Sequence, residues 1–337
     1  MTLVAAGIGA GAGILSRRDA PSPRAVAAEV DPAVVDIDST LAGGTGLAEG
    51  TGMVISPSGL VLTNNHVIAG SASLSVQVDG TGPRHPARVI GDDPTRDVAL
   101  VQIEGVSGLP TVSFADPSAL SPGAAVFVIG NALGRGGTPA ISAGTVAALG
   151  QTISASSPTG ATETLRGMIE VSALIQSGDS GGPLVDASGR VVGMDTAGSI
   201  KGPITGPTTS RTGFAIPIGT ARRIAAEIRA GRASGTIEIG PGPLIGVIVG
   251  DAGAAPSPPS TSGADVIAVD PGTPAAAAGL RRGDVITTLG GTAITSAGSL
   301  STALDAYRAG QRVRLGWIDP SGERRSAVIT LAPGPPA

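Results

Sequence analysis

Residues 178–183 read Gly-Asp-Ser-Gly-Gly-Pro, and this hexapeptide narrows the choice of fold more than any other stretch of the chain. Its glycines allow a sharp turn that exposes the central serine. They also let backbone N–H groups converge where negative charge develops on an attacked carbonyl oxygen. A serine hydroxyl is a weak nucleophile at neutral pH, so it needs an adjacent base, usually a histidine held by a carboxylate. Ser180 is therefore a candidate nucleophile, and the fold must bring a histidine and an acid to it.

The order of these partners along the chain distinguishes the folds that use such a serine. The hexapeptide also fits the G-x-S-x-G turn of α/β-hydrolases, but in those enzymes the histidine follows the serine. Here His66 and His85 both precede Ser180, which argues against that fold. The subtilisin order places the acid before the histidine, whereas the order His, Asp, Ser belongs to the chymotrypsin-like arrangement.

The pattern of apolar runs favours the chymotrypsin-like alternative. From about residue 32 to residue 217, short apolar runs are separated by Gly, Pro, Ser and Asp, without helix-length periodicity. Such a pattern is typical of an all-β barrel or sandwich. The first clear helical periodicity spans residues 218–229, and we expect this helix to close the first domain.

The context of each histidine selects the base. His66 directly follows the predicted strand at residues 60–63, whereas His85 lies in the polar stretch 82–86. His66 is therefore the predicted base, and His85 is interpreted as a surface residue in a turn.

Three aspartates compete for the role of the acid. Asp97 begins an apolar run at residues 97–101 and could be buried against an imidazole, so it is preferred. Asp92 and Asp93 precede Pro94 and are interpreted as solvated turn residues.

Composition excludes several other kinds of site. The chain has no cysteine and only two histidines, which excludes thiolate chemistry and disulfides and makes a multi-histidine metal site improbable. We predict neither a metal nor a cofactor. The net charge of −4 disfavours nucleic acid as a partner.

The predicted β-rich domain is preceded by an apolar leader with a tether and followed by a linker. Residues 1–29 are interpreted as an apolar leader and a Pro- and Ala-rich tether. The uncharged stretch at residues 2–16 is shorter than the ~20 residues that span a bilayer. A truncated export signal or membrane anchor is the favoured interpretation, and a disordered leader is the alternative.

Residues 233–243 are predicted to be a linker to a small β-rich unit with one or two helices.

Five motifs together resemble the HtrA/DegP-type serine proteases, trypsin-like enzymes followed by PDZ domains. They stand at residues 63–67, 97–100, 129–134, 180–184 and 213–217. The resemblance implies a mostly β chain, with a chymotrypsin-like double six-stranded β-barrel at residues 30–232 and one α+β PDZ domain at residues 244–333. The crowded Pro, Ser and Ala residues at 254–262 are then a loop within the second domain.

The resemblance also implies residue roles. Ser180 is the nucleophile, His66 the general base and then acid, and Asp97 the orienting acid. The amides of Gly178 and Ser180 form the oxyanion hole. By position, Leu174 lies at the base of the P1 pocket, where an apolar floor favours small or medium aliphatic P1 residues; the alternative is that Leu174 is a core residue. Ala215 is the second predicted substrate-binding residue.

Asp179 departs from the family pattern, which usually has Asn at this position. In digestive trypsin-like enzymes the corresponding Asp pairs with a new N-terminus after zymogen cleavage. A turn residue that fixes the loop by hydrogen bonds is the preferred interpretation.

In the PDZ-like unit, residues 270–275 and 278–286 match the family signature. By position, the resemblance assigns the carboxylate-binding loop to Leu244, Ile245, Gly246 and Val247. It assigns the pocket for an apolar side chain to Leu300 and Leu304. One or both of the last two are alternatively helix core.

The predicted function is endoproteolysis of unfolded or damaged proteins outside the cytoplasm, with the PDZ domain binding peptide C-termini. The alternative is a catalytically silent peptide-binding or chaperone-like scaffold. An N-terminal membrane anchor and a homo-oligomer are open predictions. The trimer contact common in the family uses N-terminal aromatic residues, and this chain has none before Phe114.

Overall fold

The computed structural model describes residues 22–41, 47–131, 137–156, 162–196, 212–251, 262–304 and 306–334. The predicted leader at residues 1–21 lies outside the described residues.

The first described element is a helix where the sequence predicted a tether. Helix α1 (Pro23–Val30) begins with proline in its first turn, and the side chain of Ser22 accepts a hydrogen bond from the Ala25 N–H. Val26, Ala27 and Val30 lie on one face and are buried, and the two valines belong to the core of the first domain. The tether prediction is therefore wrong for this segment, because spacing at one helical face outweighs its Pro- and Ala-rich composition.

The first barrel consists of six antiparallel strands. Their order in the sheet is β5-β4-β1-β2-β3-β6, and a pairing of β5 with β6 closes it. The helix α2 follows the third strand. The bounds are β1 (Val34–Leu41), β2 (Leu47–Ser56), β3 (Leu60–Thr63), α2 (Asn65–Ile68), β4 (Ser71–Val78), β5 (Arg84–Asp93) and β6 (Val98–Ile103).

The second barrel also has six strands, in the closed order β10-β11-β12-β9-β8-β7. Helix α3 follows it with the bounds predicted from periodicity, and its buried face joins the core. The bounds are β7 (Ala125–Gly130), β8 (Ala140–Ser156), β9 (Thr162–Val171), β10 (Pro183–Asp186), β11 (Val191–Thr196), β12 (Gly213–Pro217) and α3 (Ile218–Arg229).

Strand β5 corrects two sequence-based interpretations. His85 lies within this strand, paired with Val76, rather than in a turn. Asp92 and Asp93 are only 1% and 0% exposed, so they are not solvated turn residues. The apolar-run criterion missed β5 because its first half alternates exposed and half-buried positions.

The predicted linker is partly structured. Strand β13 (Glu238–Ile239) pairs antiparallel with β5, which places Glu238 opposite Asp92. The chain between the domains therefore extends the first barrel's sheet by one short strand.

The C-terminal unit is built on a sheet with the order β15-β16-β17-β19-β20. Strand β18 pairs with β17, and β14 pairs with β21. Because β15 and β16 pair directly, residues 252–261 connect two strands of one sheet. The bounds are β14 (Pro243–Leu244), β15 (Val247–Asp251), β16 (Ala264–Val269), α4 (Pro274–Ala278), β17 (Val285–Leu289), β18 (Thr292–Ala293), α5 (Ala297–Leu304), β19 (Arg312–Ile318), β20 (Arg324–Thr330) and β21 (Ala332–Pro333). The predicted fold class, a double barrel followed by a small α+β domain, is confirmed.

Candidate active site

His66 and Asp97 meet at the ends of two paired strands. His66 follows β3 on α2, and Asp97 precedes β6, the strand that pairs with β3. The His66 Nδ1 atom lies 3.0 Å from Asp97 Oδ1 and 2.9 Å from Oδ2. The backbone N–H of His66 also donates to Asp97 Oδ1 at 2.9 Å. The carboxylate thus fixes both the ring and the backbone of the histidine.

Asp97 is held in an unusual backbone conformation. Its φ of 55° lies in the left-handed region, which Asp and Asn tolerate better than most residues. The Asn64 side chain donates to the Asp97 carbonyl at 2.9 Å. The carboxylate accepts a third partner, the Thr196 hydroxyl, at 3.1 Å.

The turn that carries Ser180 packs against the segment leading to His66. Gly181 has a φ of +86°, and a Cβ atom there would collide with the Thr51 carbonyl and the Thr63 hydroxyl. The same Cβ position lies 3.2 Å from the Asn64 backbone nitrogen. Only glycine permits this approach, which brings the serine turn beside the residues immediately before His66.

Thr51 on β2 joins the two barrels at this turn. Its N–H donates to the Ser180 carbonyl at 2.8 Å, and its hydroxyl donates to the Gly178 carbonyl at 2.6 Å. The hydroxyl also accepts the Asn131 N–H at 2.9 Å. The Gly178 N–H donates to no acceptor among the described residues.

Asp179 stabilises the turn from inside. Its Oδ2 accepts the Gln176 N–H at 2.8 Å, and its carbonyl accepts the Gly182 N–H at 2.9 Å. Burial raises the pKa of Asp179 to about 6, against the opposing effect of the Gln176 hydrogen bond.

Three residues at this site, Thr51, Asp195 and Thr196, were not singled out from the sequence. Asp195 and Thr196 end β11, and the Asp195 backbone pairs with the glycines that follow Ser180. The Gly181 N–H donates to the Asp195 carbonyl, and the Asp195 N–H donates to the Gly182 carbonyl, both at 2.8 Å. No local signal marks these residues, because their partners lie far away in the sequence.

The two predicted substrate-binding residues are placed differently. Leu174 is 39% exposed, so a ligand can reach it, and its N–H donates to the Ser142 hydroxyl at 3.2 Å. Ala215 is fully buried in the core of the second barrel, opposite Ile169. Strand alternation turns the Ala215 side chain inward, so it lies away from any surface that a substrate could touch.

The predicted peptide-binding residues of the C-terminal unit lie on β14, on β15, on the two residues between these strands, and on α5. Gly246 has a φ of +86°, and its carbonyl accepts the Asp270 N–H. Val247 begins β15, an edge strand, and α5 packs on β15. Ile245 and Leu300 are buried in the core, as the helix-core alternative predicted for Leu300. Leu304 is only half-buried, and Leu244 pairs with Ala332 on β21.

Residues 50–194 match the family described as trypsin-like peptidase domain, and residues 243–320 match the PDZ domain family. The chain is 36% identical over 318 residues to serine protease PepD of Mycobacterium tuberculosis, covering 91% of this chain and 65% of that protein. Its two domains are those of the HtrA/DegP-type serine proteases, a trypsin-like peptidase domain followed by one PDZ domain.

Further comparisons agree with this family. The chain is 35% identical over 288 residues to the periplasmic pH-dependent serine endoprotease DegQ of Escherichia coli, covering 84% of this chain and 59% of DegQ. The solved structure of the HtrA-type protease AlgW with a tripeptide has 27% identity and a TM-score of 0.54. That match covers 94% of this chain and 99% of AlgW. The chain spans less than two thirds of PepD and of DegQ.

Among the described residues, no group of three or more His, Asp or Glu side chains could hold a metal ion. None of the helices in those same ranges has the length and apolar character needed to cross a bilayer.

Proposed function

We propose that the chain is a serine endopeptidase that works through an acyl-enzyme on Ser180. The Ser180 Oγ attacks the scissile carbonyl carbon while His66 Nε2 takes the hydroxyl proton. His66 then gives this proton to the leaving amine. A water molecule, deprotonated by His66, releases the acyl group and restores the serine.

The contact between His66 and Asp97 is the observation that carries this proposal. With Nδ1 beside the carboxylate, the ring carries its proton on Nδ1 and leaves Nε2 as the base. The negative carboxylate also stabilises the imidazolium that forms when His66 takes the serine proton.

The negative oxygen of the tetrahedral intermediate binds the backbone N–H groups of Gly178 and Ser180. The Gly178 φ of +95° orients its amide, and the Thr51 hydrogen bonds to the carbonyls of Gly178 and Ser180 fix the turn. Donors fixed in advance need no reorganisation when the charge appears, which makes them effective in catalysis.

Fluorophosphonate labelling and casein digestion test the catalytic proposal. We expect the wild type to be labelled on Ser180 and to digest casein. Ser180→Ala should show neither labelling nor digestion. In His66→Ala the rates of labelling and of digestion should both fall by several orders of magnitude. If the wild type shows no labelling and no digestion at any pH, the silent scaffold is the better description.

We propose unfolded polypeptides as the substrates, with small or medium aliphatic residues at P1. Leu174 is apolar and accessible, and an apolar surface gives Lys or Arg no partner to offset the cost of desolvation. Digestion of one protein in native and in denatured form tests the first point. Dominant cleavage after Arg or Lys would refute the second.

The PDZ domain is proposed to bind apolar peptide C-termini. An extended peptide adds to the free edge of β15, its carboxylate binds backbone amides near Gly246, and Leu304 contacts its last side chain. Leu304→Lys should weaken binding of a peptide with a free apolar C-terminus, and amidation of the peptide should weaken it likewise. Val328→Lys on the opposite edge strand, where Val328 is 47% exposed, is the matched control.

We further propose an extracytoplasmic location, because DegQ and other relatives are named periplasmic. Fractionation of cells that produce the full protein would test it, and recovery only with cytoplasmic markers would contradict it.

A further inference from the structure

A buried carboxyl group lies behind the proposed nucleophile and has no role in the mechanism above. Asp195 is 0% exposed, and neither of its carboxyl oxygens has a hydrogen-bond partner among the described residues. An ionised carboxylate in such a place would be costly, whereas a protonated carboxyl is tolerated at far lower cost.

The backbone of Asp195 is part of the serine turn. It exchanges two hydrogen bonds with Gly181 and Gly182, and the next residue, Thr196, holds the carboxylate of Asp97. A disturbance at Asp195 therefore reaches both the nucleophile and the acid that orients the histidine.

The surroundings of Asp195 oppose its ionisation. Asp195 lies on the same face of β11 as Gly193, which packs on Ala215 of β12 and Ile169 of β9, so these strands present apolar groups. Burial raises the pKa of Asp195 well above its ordinary value, and the charge of Asp179 adds to the effect.

The other titratable groups near the site do not offset the cost of ionising Asp195. Asp179, on the serine turn, is the titratable group whose charge acts on Asp195. Asp97 lies beyond Thr196, on the opposite side of β11, and is also acidic. No cation near the site therefore balances a charge on Asp195 among the described residues.

We propose that Asp195 is a positioning residue that holds the Ser180 turn in its active arrangement only while its carboxyl carries a proton. Loss of that proton at alkaline pH creates a second negative charge beside Asp179 in an apolar interior. The Asp195–Gly181 and Asp195–Gly182 hydrogen bonds then break as the turn opens to admit water, and activity falls.

The test is the pH dependence of kcat/KM, taken from about pH 6 to about 10 with one peptide substrate. For each protein, kcat/KM at every pH is divided by the kcat/KM of the same protein near neutral pH, so differences in absolute activity between the proteins do not affect the comparison. We expect an alkaline fall in the wild type that Asp195→Asn abolishes, because an amide cannot ionise. We expect Asp179→Asn to move the fall to lower pH, because Asp195 then ionises without a neighbouring charge. An unchanged alkaline fall in Asp195→Asn would overturn the proposal.

Hydrogen exchange of residues 176–186 gives a readout that does not depend on activity. The protection of the Gly181 amide, whose N–H donates to the Asp195 carbonyl, should drop at alkaline pH in the wild type and not in Asp195→Asn, after correction for intrinsic exchange. The proposal rests on the proposed protease function only for its kinetic arm. If the wild type is inactive but its amides lose protection as the pH rises, the proposed protease function is refuted, whereas the proposed pH-dependent role of Asp195 stands. If Asp195→Asn does not fold, the test is the pH at which kcat/KM falls in Asp179→Asn. A fall at lower pH than in the wild type supports the proposal, and an unchanged or higher pH contradicts it.

Discussion

Replacing Thr196 by valine removes one hydroxyl group from the triad's support while keeping the shape of the side chain. Thr196 is 3% exposed, and its hydroxyl donates to Asp97 Oδ2 at 3.1 Å. The same oxygen lies 2.9 Å from His66 Nδ1, so the hydroxyl fixes the carboxylate that fixes the ring. Its loss leaves a buried carboxylate with one fewer donor.

A hydrogen bond to a charged group is worth about 1.5–3 kcal/mol, which corresponds to a fall in kcat/KM of about 10- to 150-fold. Because the ring must be oriented during proton transfer, the fall should appear mainly in kcat. The assay is steady-state hydrolysis of a peptide by Thr196→Val, with Thr196→Ser expected to recover most of the activity.

Thr152→Val is the matched control, since it makes the same chemical change at an exposed position of β8. If Thr196→Val and the control both retain wild-type kcat and KM, the hydroxyl does not support the triad and the reasoning fails.

Three further outcomes are expected. Val26→Ala with Val30→Ala removes four buried methyl groups from α1 and should lower the free energy of unfolding by at least ~3 kcal/mol in urea denaturation, whereas exposed Arg24→Ala should change it little. Burial and the charges of neighbouring acids raise the pKa of Asp92 from its ordinary value of 3.8 to about 8. The free energy of unfolding of the wild type should therefore fall as pH rises from about 4 through 8, by at most ~1.4 kcal/mol per pH unit. Asp92→Asn should flatten this slope, and equal slopes in the two proteins would contradict the assignment. Gly181→Ala should abolish fluorophosphonate labelling, because its Cβ collides with backbone and side-chain atoms; normal labelling would show that the turn is not held as described.

The fold was predictable where burial is one-sided or complete. Helix α3 and strand β3 have the predicted bounds because their apolar spacing is regular. Strand β8 was missed since its 17 residues are mostly small or polar. Its hydrogen bonds to β7 and β9 form it, and such long-range pairing leaves little trace in local sequence.

The site was predictable only in part. The order of His66, Asp97 and Ser180, with the motifs around them, indicated the family and the residues that carry the chemistry. Thr196 was not predictable, because its bond to Asp97 joins residues 99 positions apart. Asp92 was misjudged because the strand β13 that covers it comes from the predicted linker.

The end of β11 explains why the support of this site is inseparable from the core of the second barrel. Successive residues of a strand point to opposite faces, so Asp195 faces the barrel interior while Thr196 faces the triad. The backbone between them binds the glycines that follow Ser180. Nucleophile, acid and barrel core are thus joined through two adjacent residues, and we expect a change in the charge of Asp195 to displace Thr196 as well. This coupling predicts that substitutions which disturb the Asp195 side chain will alter His66 chemistry, although Asp195 contacts neither histidine nor substrate.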